Sequence, residues 1–147
     1  MNLHFESGDD MSAALPCRTL SVWVDCDPQT VYAFLAAPTN FPRWASGLCF
    51  SIETMGDDWL AQTPHGPMRV RFTPPNDLGV VDHYVLPEEG PVIYVPMRVI
   101  ANGGGSEVCL TLFRQPDMSD EKFAGDADWV ERDLQGLKRV LEQAGEQ

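Results

Sequence analysis

Basic residues are scarce in this chain: 10 lysines and arginines stand against 22 aspartates and glutamates, a net charge of −12 over 147 residues. A surface of that sign repels phosphate backbones, and no Lys/Arg cluster or aromatic–basic stripe offsets it. No nucleic-acid partner and no membrane insertion are expected. Long apolar runs are missing too. The first ten residues hold no signal-like apolar core, and nothing later approaches the length of a membrane span. Cysteine is sparse and scattered: Cys17, Cys26, Cys49 and Cys109 form no CxxC pair and have no histidine at ligand spacing. No metal, disulfide or cofactor is therefore expected, and unpaired thiols without an export signal suit a cytoplasmic protein. Repeats and low-complexity tracts are also lacking. Residues 1–14 read as a loose head, with either Met1 or Met11 as the start, and 15–147 as one domain long enough to bury its own core.

What is present is an ordered series of elements. Arg18 to Val24 alternates with period two and predicts a strand. Asp27 and Pro28 then supply an N-cap and a first helical residue, and Val31, Phe34 and Leu35 recur at helical spacing. Pro38 and Pro42 set off a second short helix around Asn40–Ala45. Six short apolar segments follow, Leu48–Met55, Trp59–Thr63, Met68–Thr73, Val80–Leu86, Val92–Ala101 and Glu107–Arg114, divided by turn residues such as Gly66-Pro67 and Asn102-Gly103-Gly104-Gly105. Short links between consecutive strands make an antiparallel meander. Ser119, followed by Asp120 and Glu121, opens a long helix whose stripe of Phe123, Val130, Leu134, Leu137 and Leu141 runs to about residue 144. Gly136 in that helix suits the close approach of another backbone or of a ligand.

Within that order, Asp27-Pro28-Gln29-Thr30-Val31-Tyr32 and Ala37-Pro38-Thr39-Asn40-Phe41-Pro42-Arg43-Trp44 resemble the helical insert of START-like proteins, the SRPBCC or polyketide-cyclase-like superfamily. The likeness covers nearly all of residues 17–144 in element order. It implies an α+β helix-grip fold: a curved seven-stranded antiparallel sheet wrapped around the C-terminal helix, two short helices inserted after the first strand, and a cavity for apolar ligands. The Rieske and iron motifs of the superfamily's oxygenase branch are absent.

Hairpin parity assigns the faces. With Ala101 opposite Ser106, Val99 meets Val108, Met97 meets Leu110 and Val95 meets Leu112, on a wholly apolar face that must point inward. Arg98 and Glu107 fall on the other face as diagonal partners. Carried back one strand, the register sets Val81, His83 and Val85 opposite Met97, Val95 and Ile93, with Asp82 and Tyr84 outside. Met68, Val70 and Phe72 point inward, and Arg69 and Arg71 outward. His83 is then a lone imidazole on an apolar wall, either an anchor or acid–base group for a ligand or a core histidine satisfied by a neighbour. Trp44 either covers one mouth of the cavity or anchors the insert to the sheet. Trp129 borders the helix stripe at the pocket or its rim. The expected ligand-binding set is His83, Trp44, Phe72, Val81, Val95, Met97, Leu110, Trp129, Val130 and Leu134.

Three functions fit these residues. The first is a binding module for an apolar or aromatic small molecule, lipid- or polyketide-like. The second is a cyclase or dehydratase-like enzyme with His83 as its only candidate acid or base, against which no nucleophile–base pair or paired inner carboxylates are found. The third is a protein-interaction or co-chaperone domain, which needs an exposed apolar patch. A homodimer is compatible with all three.

Overall fold

The computed structural model describes residues 13–45 and 49–145. Both candidate starts, most of the loose head and the beginning of the Leu48–Met55 segment lie outside them. The elements are β1 (Cys17–Val24), α1 (Pro28–Ala36), a 3-10 turn (Pro38–Asn40), α2 (Phe41–Trp44), β2 (Ser51–Met55), β3 (Asp58–Thr63), β4 (Gly66–Phe72), β5 (His83–Leu86), β6 (Ile93–Val95), β7 (Met97–Asn102), β8 (Gly105–Phe113) and α3 (Asp120–Gly145).

Local chemistry accounts for the boundaries. In β1 the alternation buries Leu20, Val22 and Val24. The chain then turns into α1 because Asp27 accepts hydrogen bonds from the Thr30 amide (3.0 Å) and hydroxyl (2.8 Å), with Pro28 in the first turn. At the other end the Ser119 hydroxyl accepts from the Lys122 amide at 3.0 Å, and Asp120 and Glu121 occupy the first turn of α3. Ala127, Val130, Leu134, Leu137 and Leu141 are its buried stripe, while Phe123 is only half-buried. The helix packs on β1 and α2, and Gly136 is the point of contact: a Cβ there would sit 3.4 Å from the Trp44 carbonyl oxygen.

The sheet differs from the single seven-stranded one expected. Among the described residues eight strands form two antiparallel sheets, in the order β1-β8-β7 and β2-β3-β4-β5-β6. The cause is Pro96. The Val92–Ala101 segment breaks there, since proline donates no ladder hydrogen bond. Before the break β6 pairs with β5 (His83↔Val95, Val85↔Ile93); after it β7 pairs with β8 (Met97↔Leu110, Val99↔Val108, Ala101↔Ser106). The β7–β8 ladder ends at Met97, so the expected Val95–Leu112 pair does not form. Backbone bonds still join the two sheets, from the Val81 amide to the Met97 carbonyl, Val99 to Gly79 and Thr111 to Pro96, at 2.9, 2.9 and 3.0 Å.

Asp82 locks this junction. It lies on the outer face, as parity requires, yet is only 5 % exposed. Its carboxylate accepts from Arg98 Nε and Nη2 (both 3.0 Å), the Tyr94 hydroxyl (2.8 Å) and the Met97 amide (2.8 Å). Burial by itself raises its pKa, but the hydrogen bonds from Arg98, Met97 and Tyr94 outweigh that and hold it below the usual carboxylate value. The Arg98–Glu107 pair expected from the sequence is thereby corrected. Arg98 reaches across the junction to Asp82, and Glu107 instead accepts from Asn102 at 2.9 Å.

Candidate ligand-binding cavity

A cavity of about 710 Å³ separates the first half of α3 from the inner sheet face. Strand alternation builds the floor: Ala61 and Val70 on β3 and β4, His83 and Val85 on β5, Ile93 and Val95 on β6, Leu110 and Leu112 on β8. Gly125, Trp129 and Val130 of α3 form the roof, and Phe41, Trp44 and Ala45 close one end. Exposed groups mark the open end, with Pro64 and His65 on the β3–β4 turn and Glu121 and Lys122 on α3. Lys122 Nζ pairs with Asp126 at 2.6 Å on the same rim.

Six of the ten residues expected on the wall are on it: His83, Trp44, Val95, Leu110, Trp129 and Val130. Val81 and Met97 by strand parity and Leu134 by the helical stripe point inward, but they belong to the packed core cluster and do not line the cavity. Phe72 stands behind the wall, its ring 5.7 Å from Phe41 and 5.9 Å from His83. Trp44 is buried and meets Phe41 edge-on at 5.6 Å, so it packs the insert in place while closing that end of the cavity. Trp129, 42 % exposed, sits at the rim.

His83 is 7 % exposed and packed against aromatics, with Phe41 at 5.6 Å and Phe72 at 5.9 Å. Burial lowers its pKa to about 4, against the smaller opposing effects of the Val81 backbone and the Asp82 charge. The ring is therefore neutral near pH 7, able to donate from one nitrogen and accept at the other. Cys49 also lines the cavity, but burial raises its pKa, leaving a thiol rather than a nucleophilic thiolate.

Of the polar stripe on the roof, Trp129 is in the expected set, while Lys122 and Asp126 are additions. Lys122, Asp126, Trp129 and Asp133 fall at i, i+4, i+7 and i+11 on one stripe of α3, beside the apolar one. That spacing was the available signal. His65, in the β3–β4 turn, also lines the open end. No group of three or more His, Cys, Asp or Glu residues able to hold a metal occurs among the described residues. None of the described helices is long and apolar enough to cross a membrane.

No family model matches the sequence, and no curated protein matches it significantly. Solved structures do resemble the fold. XoxI from Bacillus cereus superposes with a TM-score of 0.70 at 18 % identity, covering 85 % of this chain and 94 % of that one. A START superfamily protein from Mycobacterium smegmatis gives 0.69 at 11 %, covering 87 % and 98 %. The Aha1 dimer from Colwellia psychrerythraea gives 0.70 at 13 %, covering 87 % and 97 %. With two antiparallel sheets, a helical insert after β1 and a long closing helix, the chain has the START-like, helix-grip fold.

Proposed function

We propose that this protein binds an apolar or aromatic small molecule, lipid- or polyketide-like, in the cavity between its sheets and α3. The observation that carries this reading is the cavity itself: about 710 Å³ walled by Val70, Val85, Ile93, Val95, Leu110, Leu112 and Val130, with few polar groups among them. Drug-sized ligands occupy clefts of roughly 300–1,000 Å³ with this apolar character. Leaving such a volume unfilled sacrifices packing that a domain selected for stability alone would recover. With its one N–H engaged by the Val81 backbone, neutral His83 offers its other nitrogen as an acceptor for a ligand hydroxyl.

Native mass spectrometry of the purified protein tests the proposal, together with quenching of Trp44 and Trp129 fluorescence by a panel of aromatic and long-chain compounds. A retained apolar compound, or saturable quenching by panel members, is expected. No bound compound and no response across the panel would remove the reading. The second reading, a cyclase or dehydratase-like enzyme, draws on the same His83. A pKa near 4 leaves that ring almost wholly unprotonated near neutrality, with no imidazolium proton to donate and little strength as a base, which favours binding over acid–base turnover.

A further inference from the structure

Arginine use across the molecule is uneven. Arg69 and Arg71 pair with Asp58, Arg98 with Asp82 and Arg114 with Asp120. Arg18, exposed on β1, makes no ion pair among the described residues, and neither do Arg43, Arg132 and Arg139. These three converge instead on a crevice of about 350 Å³ between α2 and the later part of α3. Sequence spacing offers Arg132 a carboxylate, since Asp128 lies four residues earlier, and Lys122–Asp126 and Lys138–Glu142 show that this helix does form such pairs. Arg132 turns elsewhere: its guanidinium lies over the Trp129 ring, 4.8 Å from the centroid. Arg43 also lines the crevice, its guanidinium donating to Asn40 Oδ1 at 3.1 Å and lying over the Phe34 ring. Asp133 lines the crevice too, so three arginines and one aspartate line it and the local charge is positive on a chain whose net charge is −12.

The crevice adjoins the apolar cavity, because Trp44, Trp129 and Asp133 line both. Resting on the binding role of that cavity, we infer that the ligand is amphipathic: its apolar body lies under α3, and an oxyanion head, carboxylate or phosphate, is gripped by Arg132, Arg139 and Arg43. Guanidiniums offer paired N–H donors that match either oxyanion, and stacking on Trp129 fixes the plane of one fork before a ligand arrives. Trp129 is then the divider between body and head.

Titrations of the full chain with dodecanoate, dodecyl phosphate and dodecanol, below micelle-forming concentrations and at low salt, test this. At least one anion should bind about tenfold or more tightly than the alcohol, as charge-assisted hydrogen bonds predict, and whichever anion leads identifies the head group. Added salt should shrink that advantage. Arg132→Gln/Arg139→Gln, both exposed helix positions that tolerate glutamine, should collapse it while the melting temperature stays close to that of the parent. Dodecanol binding as tightly as both anions, or a preference untouched by the double substitution, would overturn the head-group assignment and leave the apolar cavity standing. Failure of all three compounds to bind would instead remove the cavity reading and this one with it.

Discussion

His83 concentrates the residue-scale physics. Its ring must remain neutral where it sits, while in the unfolded chain it titrates near the ordinary histidine value of 6.5. Between pH 6.5 and about 4 the unfolded state therefore binds more protons than the folded one, and stability falls as pH is lowered through that window. The loss should be on the order of 3 kcal/mol across it, and flat above pH 7 as far as this group is concerned. His83→Phe should abolish that slope in urea titrations at pH 7 and pH 4.5, because a phenyl ring completes the cluster with Phe41 and Phe72 and has nothing to protonate. The same variant should keep its fold at pH 7 and bind polar-headed aromatic ligands more weakly. A large loss of stability at pH 7 in the ligand-free protein would make the imidazole architectural.

At the scale of elements, the junction between sheets rests on Asp82, which joins Arg98, Tyr94 and the Met97 amide across the break at Pro96. Asp82→Ala should cost about 2–4 kcal/mol, because it strands the Met97 amide and removes the partner of Arg98, whose own exposure moderates the loss. Hydrogen exchange at Met97 should quicken more than at Val108, away from the junction. The acid dependence of this contact is separate from that of His83: a depressed carboxylate pKa stabilises above the ordinary value of about 3.9 and is lost only as pH falls below it. The junction also marks where the sequence stopped being legible. The β7–β8 register was readable because Asn102–Gly105 forms a tight hairpin and Gly103 supplies its positive φ of 60°. The caps at Asp27 and Ser119 were equally plain. Pro96 is a lone breaker inside an apolar run that otherwise reads as one strand, so the pattern predicts seven strands in one sheet where the described residues hold eight in two. Parity gives the face of a residue but not its depth. Val81, Met97 and Leu134 were placed inward correctly, yet their distance from the cavity depends on where α3 stands off the sheet, which no alternation encodes.

For the whole molecule, that stand-off sets stability against binding, and Gly125 sits where the two meet. It lies on the cavity roof in the first half of α3, and a Cβ built there would find nothing within 4 Å. Glycine within a helix costs about 1 kcal/mol relative to alanine or leucine. A leucine at this position regains that propensity and projects from the roof into or beside the apolar space, adding buried area without displacing a neighbour. Gly125→Leu should therefore raise the melting temperature of the ligand-free protein by about 2–6 °C, for a gain of roughly 1–2 kcal/mol in a chain of this size. It should at the same time weaken ligand binding severalfold, since the side chain occupies part of the volume the ligand needs. Thermal melts with and without a bound compound read both effects, because ligand stabilisation scales with concentration over Kd and must shrink as Kd rises. A variant that is more stable and binds as well as the parent would show that the ligand does not extend beneath Gly125. Lower stability without ligand would show that α3 is bent or displaced there when a side chain is added.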